Sequence, residues 1–173
     1  MLKSELIIGA AILSAALGGA VSAAQPAPPP TPEFVAAAAQ SDHYEILAGR
    51  IAAVESRDQD VRSFALEMIQ DHTRTSEALE QATMASHLAE PPIGISSDQR
   101  LMLGALQSLR GPDFDKAYVQ QQVMAHQQAL IVEQSYAEAG ADGNLRRAAQ
   151  STVPLVQHHL EMAQRMHSAV GGS

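Results

Sequence analysis

The sequence predicts an all-α four-helix bundle, in which two antiparallel helix hairpins are joined by a long crossover that contains a short helix. After residue 32 the 173-residue chain is rich in Ala, Leu, Gln, Glu and Arg, and it has no run of β-branched residues. Apolar side chains recur at the spacing of amphipathic helices. Proline and glycine are concentrated at a few breaks, so the helical segments between those breaks are long.

Residues 1–24 are predicted to be an export signal and not part of the bundle. Lys3 precedes an apolar run from Leu6 to about Val21, and the small residues 22–24 offer a cleavage site. Glu5 weakens the positive start, and the apolar run is nearly long enough to cross a bilayer, so an uncleaved anchor is the less favoured alternative. The protein is therefore expected in the periplasm.

The next segment, residues 25–32, is predicted to be a proline-rich spacer. The bundle domain is then expected over residues 33–170. Its first helix should run from about Pro32, which suits a first turn, to Ser56. A second helix should begin near Asp58, a good N-cap, and end near His87.

Prolines and glycines divide the second half of the chain. Residues 90–94 contain two prolines and a glycine, and a short helix is expected from about Gln99 to Leu109. The third long helix should run from Pro112 to about Ala139, and the fourth from about 143 to 169. Pro154 lies inside the fourth helix and is expected to kink it. Two tight hairpins with one long connection form the ferritin-like arrangement.

Composition excludes several classes of function. There are 19 acidic residues against 11 Lys and Arg, giving a net charge of −8, so no clustered basic surface for nucleic acid or anionic lipid is expected. Because cysteine is absent, disulfides and thiol catalysis are excluded. No Ser-His-Asp order or glycine-rich phosphate loop supports a hydrolase or a nucleotide-binding protein.

Four ionisable residues fall near the midpoints of the four long helices, on faces that otherwise resemble core. Each lies 13 to 16 residues after the predicted start of its helix, and the set is Glu45, His72, His126 and His159. Their heights agree to within about one turn, so the side chains are predicted to meet inside the bundle. One carboxylate and three imidazoles would suit a divalent Fe, Mn, Zn or Cu ion.

Two alternatives to a metal site remain open at this stage. Glu45 can accept hydrogen bonds from the histidines and form a polar layer that fixes helix register, or the four side chains can diverge. His158 is expected to be more exposed than His159. Asp71, about 100° around its helix from His72, is expected to play a supporting role at most.

The ferritin-type di-iron site requires Glu-x-x-His on two helices. The residues three positions before the candidate histidines are Ile69, Val123 and Val156, and none is a glutamate. Ferroxidase chemistry is therefore not expected of this chain.

Several segments resemble an exported bacterial family, the "domain of unknown function 4142" family of the ferritin-like group. They are Phe34 to Leu47 with its Tyr-Glu-Ile, Phe64 to His72 ending in Asp-His, Phe114 to Tyr118, His126, and Leu155 to Leu160 preceded by Pro154. The resemblance covers roughly residues 33–168 in the right order. It implies a ferritin-like bundle in the cell envelope and no particular activity.

The sequence thus favours an exported ferritin-like bundle of unassigned envelope role that is non-catalytic or weakly catalytic. One alternative is a periplasmic metal-binding or metal-redox protein that uses the Glu/His₃ set, and another is a stress-related protein-interaction module. The expected partner is a second copy of the chain or another envelope protein.

Overall fold

The structure is a computed structural model that describes residues 27–171. It contains five helices and no strand within that range: α1 (Thr31–Glu55), α2 (Gln59–Ala85), α3 (Ser97–Gln107), α4 (Gly111–Ala139) and α5 (Gly143–Gly171). The predicted all-α class is confirmed. The predicted export signal lies outside the described residues. No helix in the described range combines the length and apolarity that a membrane crossing requires.

Local sequence explains where the helices begin. The Asp58 side chain accepts hydrogen bonds from the backbone N–H groups of Asp60 and Val61 and caps α2. Ser96 and Gln99 form a reciprocal capping box at the start of α3. Prolines lie in the first turns of α1 and α4, where a missing N–H costs nothing.

The start of α1 differs slightly from the expected boundary. The helix begins at Thr31, whose hydroxyl is hydrogen-bonded to the Tyr136 hydroxyl of α4 at 2.8 Å. The last two residues of the predicted spacer therefore belong to the bundle. At the other end of the chain, α5 continues as one helical segment through Pro154.

The helices form a ring in which α1 packs on α2 and α4, while α5 packs on the same two helices. The starts of α1 and α5 share one end of the bundle with the ends of α2 and α4. Hence α2 and α4 run parallel, and residues 86–110 must traverse the bundle, whose length is about 40 Å for the 27 residues of α2. Along this crossover α3 packs on α1 and α4. The ferritin-like connection is confirmed.

The bundle interior consists of two apolar clusters separated by a polar layer. The Phe34 cluster comprises Phe34, Val35, Ala38, Ala39, Leu79, Ala82, Tyr136, Ala137, Leu145 and Ala149. The Phe64 cluster, at the opposite end, includes Phe64, Met68, Leu103, Leu106, Phe114 and Tyr118. The polar layer between them comprises Asp42, Glu45, Asp71, His72, Gln122, His126 and His159, all buried.

Candidate metal centre

Three histidines from three helices meet in the polar layer. His72 of α2, His126 of α4 and His159 of α5 have ring centroids 5.4 to 5.5 Å apart. One nitrogen from each ring lies within 4.8 Å of the other two. The three residues are 2%, 1% and 0% exposed, so this histidine triad is shielded from bulk water.

Each imidazole of the triad uses one ring nitrogen in a hydrogen bond to an oxygen. The pairs are His72 Nδ1 with Asp42 Oδ1 at 2.9 Å, His126 Nδ1 with the Gln122 carbonyl at 2.9 Å, and His159 Nε2 with Asp71 Oδ2 at 3.0 Å. Such a bond fixes the tautomer and ring orientation, and metal-bound histidines in proteins almost always make one.

The second nitrogen of each imidazole is free. His72 Nε2, His126 Nε2 and His159 Nδ1 are buried and have no hydrogen-bond partner among residues 27–171. A buried polar atom without a partner costs roughly 1–3 kcal/mol, and here three of them come from neighbouring rings. The arrangement is costly as a hydrogen-bond network, and a cation among the three rings would supply each free nitrogen with a partner.

Glu45, the fourth predicted residue, borders the triad and does not join its group of nitrogens. Its Oε2 accepts a 2.6 Å hydrogen bond from the Gln122 side-chain amide. Its Oε1 lies 3.8 Å from His126 Nδ1, the nitrogen that already donates to the Gln122 carbonyl. The structure therefore brings three of the four candidates together and places the carboxylate on the bonded side of one ring.

Two aspartates have a larger part in the site than the sequence indicated. Asp42, which was not predicted, lies one turn before Glu45 on α1, and its spacing was the available signal. Asp71 holds His159 of α5, not its sequence neighbour, and is also paired with the exposed Arg74. Together Asp42 and Asp71 place two carboxylates directly behind the triad.

Burial and neighbouring charges give the three imidazoles different proton affinities. Burial, followed by the charges of His72 and His159, holds the pKa of His126 well below its ordinary value. Burial and the charge of His72 lower the pKa of His159 to about 4. Burial also acts against charge on His72, but Asp42 and two further carboxylates outweigh it and raise its pKa. At neutral pH the rings of His126 and His159 are neutral and can donate a lone pair, whereas at His72 a metal competes with a proton that is held more tightly than on an ordinary imidazole.

The carboxyl of Glu45 is also perturbed. Burial raises its pKa to about 7, although the charge of His72 and the hydrogen bond from Gln122 act in the opposite direction. Glu45 therefore titrates near neutrality.

The neighbourhood of His159 contains a second group of ligand atoms. Oxygens of Glu67 and Asp71 and one nitrogen of His159 lie within 4.8 Å of one another. This second group overlaps the site already described, because His159 belongs to the triad and Asp71 is its hydrogen-bond partner. By contrast, His158 is exposed, as expected, while His159 is fully buried.

The fold and the site define a class of protein: a four-helix bundle with a ferritin-like crossover and a buried histidine triad supported by two aspartates. The candidate ligand set contains three imidazoles and differs from the Glu-x-x-His pairs of di-iron bundles. The chain belongs to the family described as "Domain of unknown function (DUF4142)", whose model matches residues 17–166.

Two solved structures share this fold. One, described as CopM in the Cu(II)-bound form, has a TM-score of 0.66 at 13% identity, covering 80% of this chain and 95% of the other. The second is a putative secreted DUF305 protein from Streptomyces coelicolor, with a TM-score of 0.65 at 16% identity over 81% and 94% of the two chains. At these identities the likeness shows the fold alone. A search of the curated proteins finds no match.

Proposed function

We propose that this protein is an exported copper-binding protein that holds one Cu(II) ion at the histidine triad. Two observations carry the proposal: the three buried rings each bring one nitrogen within 4.8 Å of the others, and each ring has a nitrogen without a hydrogen-bond partner in the described residues. Each belongs to a ring whose other nitrogen is already held by an oxygen. Free lone pairs on fixed rings are what a transition-metal ion requires.

The chemistry of the ligand set favours copper over the other ions considered. Imidazole suits Cu and Zn, and Cu(II) forms the more stable complexes in the Irving–Williams order, whereas Mn and Mg prefer oxygen ligands. Asp42 and Asp71, behind two of the rings, offset the charge of a dication. The similar CopM structure is described as Cu(II)-bound, which supports the same choice here.

We infer that the role is binding and not turnover. The triad is at most 2% exposed, so the ion would be enclosed by four helices and out of contact with a dissolved substrate. The export signal predicted for residues 1–24 supports a location outside the cytoplasm, as does the description of the similar DUF305 structure as a putative secreted protein. Holding or carrying copper in the cell envelope fits these features.

The proposal is tested with protein purified after export, stripped of metal and titrated with Cu(II). We expect one ion per chain and an electron paramagnetic resonance spectrum with nitrogen couplings from coordinated imidazole. His126→Ala should lower the affinity at least about a hundredfold, since one of three ligands is lost. His158→Ala, which removes an exposed neighbouring imidazole, is the matched control and should change nothing.

A structural polar layer is the second candidate, favoured by the Glu45–Gln122 hydrogen bond and the two Asp–His pairs. In that case His126→Ala should cost about 1–3 kcal/mol of stability, equally with and without copper. Absence of Cu(II) binding by the wild-type protein would exclude the copper proposal in favour of this one. Zn(II) binding at equal strength would correct the choice of metal while keeping the site.

A further inference from the structure

An open cleft of about 400 Å³ lies between α1, α3 and α4. Its walls are formed largely by small and flexible side chains, among them Ala37 and Ser41 of α1, Met102 of α3, and Met124 and Ala129 of α4. No triad histidine lines it. Cavities of about 300–1,000 Å³ are the usual size for small-molecule sites in proteins.

Glu133 of α4 lies in the wall of this cleft. It is 7% exposed, and its Oε2 is buried without a hydrogen-bond partner among the described residues. The same side chain lines a small inner cavity of about 10 Å³ together with Asp42 and Thr75. A buried carboxyl oxygen that lacks a partner is expensive. Because the side chain of Glu133 also lines the open cleft, its carboxyl group can accept a hydrogen bond from a molecule that enters from outside.

The charge of the cleft indicates which kind of ligand can bind there. Within the described wall, Glu133 and Asp98 supply carboxyls, and no Lys, Arg or His is present. The whole chain carries a net charge of −8. Burial, and secondarily the charge of Asp42, raise the pKa of Glu133 to about 8. A cation in the cleft would stabilise the ionised carboxylate of Glu133, whereas an anion would destabilise it further.

We propose that the cleft is a binding site for a small organic cation, with its ammonium head at Glu133 and its short apolar body against Met102 and Met124. Methionine walls adapt to differently shaped alkyl groups, which suits a ligand of this class. The site is separate from the histidine triad and does not depend on copper binding.

The test uses n-hexylammonium as the probe and wild-type protein with ¹³C-labelled methionine methyls. We expect saturable shifts of the Met102 and Met124 methyl resonances. Uncharged 1-hexanol should bind about tenfold to a hundredfold more weakly, because it cannot form a charge-assisted bond with the carboxylate. Equal affinities for the two probes, or no shift of these two methyls, would overturn the proposal.

Variants then assign the ammonium contact. Glu133→Gln keeps the size of the side chain and should weaken n-hexylammonium binding by about tenfold or more, with 1-hexanol binding unchanged. Glu77→Gln, at an exposed position of α2, is the matched control and should leave both affinities as they are. Retention of full n-hexylammonium affinity by Glu133→Gln would contradict the assignment. His126→Ala protein should bind the probe normally, which separates this result from the copper test.

Discussion

The apolar clusters at the two ends of the bundle and the polar layer between them place contrasting chemistry on the same four helices. In the Phe34 cluster, the Phe34 and Tyr136 rings stack with centroids 3.8 Å apart, and the Tyr136 hydroxyl is bonded to Thr31. In the layer, three imidazoles are equally buried, yet each has a nitrogen without a hydrogen-bond partner in the part of the chain that the structure describes. Burial stabilises the fold at the ends, whereas in the layer it leaves polar atoms without partners. The side chains that stabilise the fold and the candidate metal ligands therefore lie at different levels along the bundle axis.

The largest effect on stability is expected at an end. Phe34→Ala removes a fully buried ring and should cost about 3–5 kcal/mol in urea unfolding of the metal-free protein. Copper affinity of the folded fraction should be unchanged, because the ring does not contact the triad. Val54→Ala, at an exposed position of the same helix, provides the comparison. A large loss of copper affinity in Phe34→Ala would mean that the two levels are coupled.

In the layer, Glu45 should make stability depend on pH. Its folded pKa of about 7 exceeds its ordinary value of 4.5, so its protonated form favours folding. That contribution is complete below about pH 4.5 and is lost as pH rises through 7. Between pH 4.5 and 8 the wild type should lose on the order of 3 kcal/mol relative to Glu45→Gln, measured by urea unfolding without metal. Parallel pH profiles of the two proteins would show that Glu45 is not held in this environment.

The aspartates behind the triad should tune the affinity for copper. Asp42→Asn retains an acceptor for His72 but removes the negative charge, so Cu(II) affinity should fall about tenfold to a hundredfold. Competition titration of the two proteins at one fixed pH measures the difference. Glu161→Gln, which neutralises an exposed carboxylate of α5, should have no effect. An unchanged affinity in Asp42→Asn would mean that His72 is not a ligand.

Protons should compete with copper at His72. Because Asp42 and neighbouring carboxylates raise the pKa of this histidine, it holds a proton more tightly than an ordinary imidazole, and the metal must compete with that proton. Cu(II) affinity should therefore fall as pH falls, by up to about tenfold for each pH unit below that pKa. Competition titrations between pH 5.5 and 8 measure the slope. A flat profile would contradict the participation of His72.

The smallest effect is expected outside the layer, at Arg74. It is an exposed partner of Asp71, and such surface pairs contribute about 0–1 kcal/mol. Arg74→Ala should therefore change both the unfolding free energy and the copper affinity very little. A marked loss of affinity would show that the orientation of Asp71, and through it of His159, depends on this surface pair.

The helices and the heights of the candidate residues could be predicted from the sequence because both follow from spacing along one chain. Counting residues from each helix start locates a side chain along the bundle axis. Its direction around the axis depends also on which helices are neighbours. His72 points inward and bonds back to Asp42 of α1, while Asp71, about 100° away, meets His159 of α5. Adjacent residues of one helix thus contact different neighbouring helices.

For Glu45 too, the height along the bundle could be predicted, whereas the bonding partner could not. Its predicted height is right, since it lies in the layer beside His126. Its hydrogen bond is to Gln122, which lies one turn before His126 on α4, as Asp42 lies one turn before Glu45 on α1. This spacing puts Gln122 on the inward face with His126, but it does not indicate that the amide of Gln122, and not an imidazole, would bond to Glu45.

The long crossover has a consequence for how the triad is assembled. His72 and Asp42 belong to the first hairpin, whereas His126 and His159 belong to the second, and residues 86–110 alone connect them. A chain cut within this connection would yield two hairpin fragments carrying one and two of the imidazoles. Only their reassociation would rebuild the set of three nitrogens. An ion bound there would be held by histidines of both hairpins and would oppose their separation.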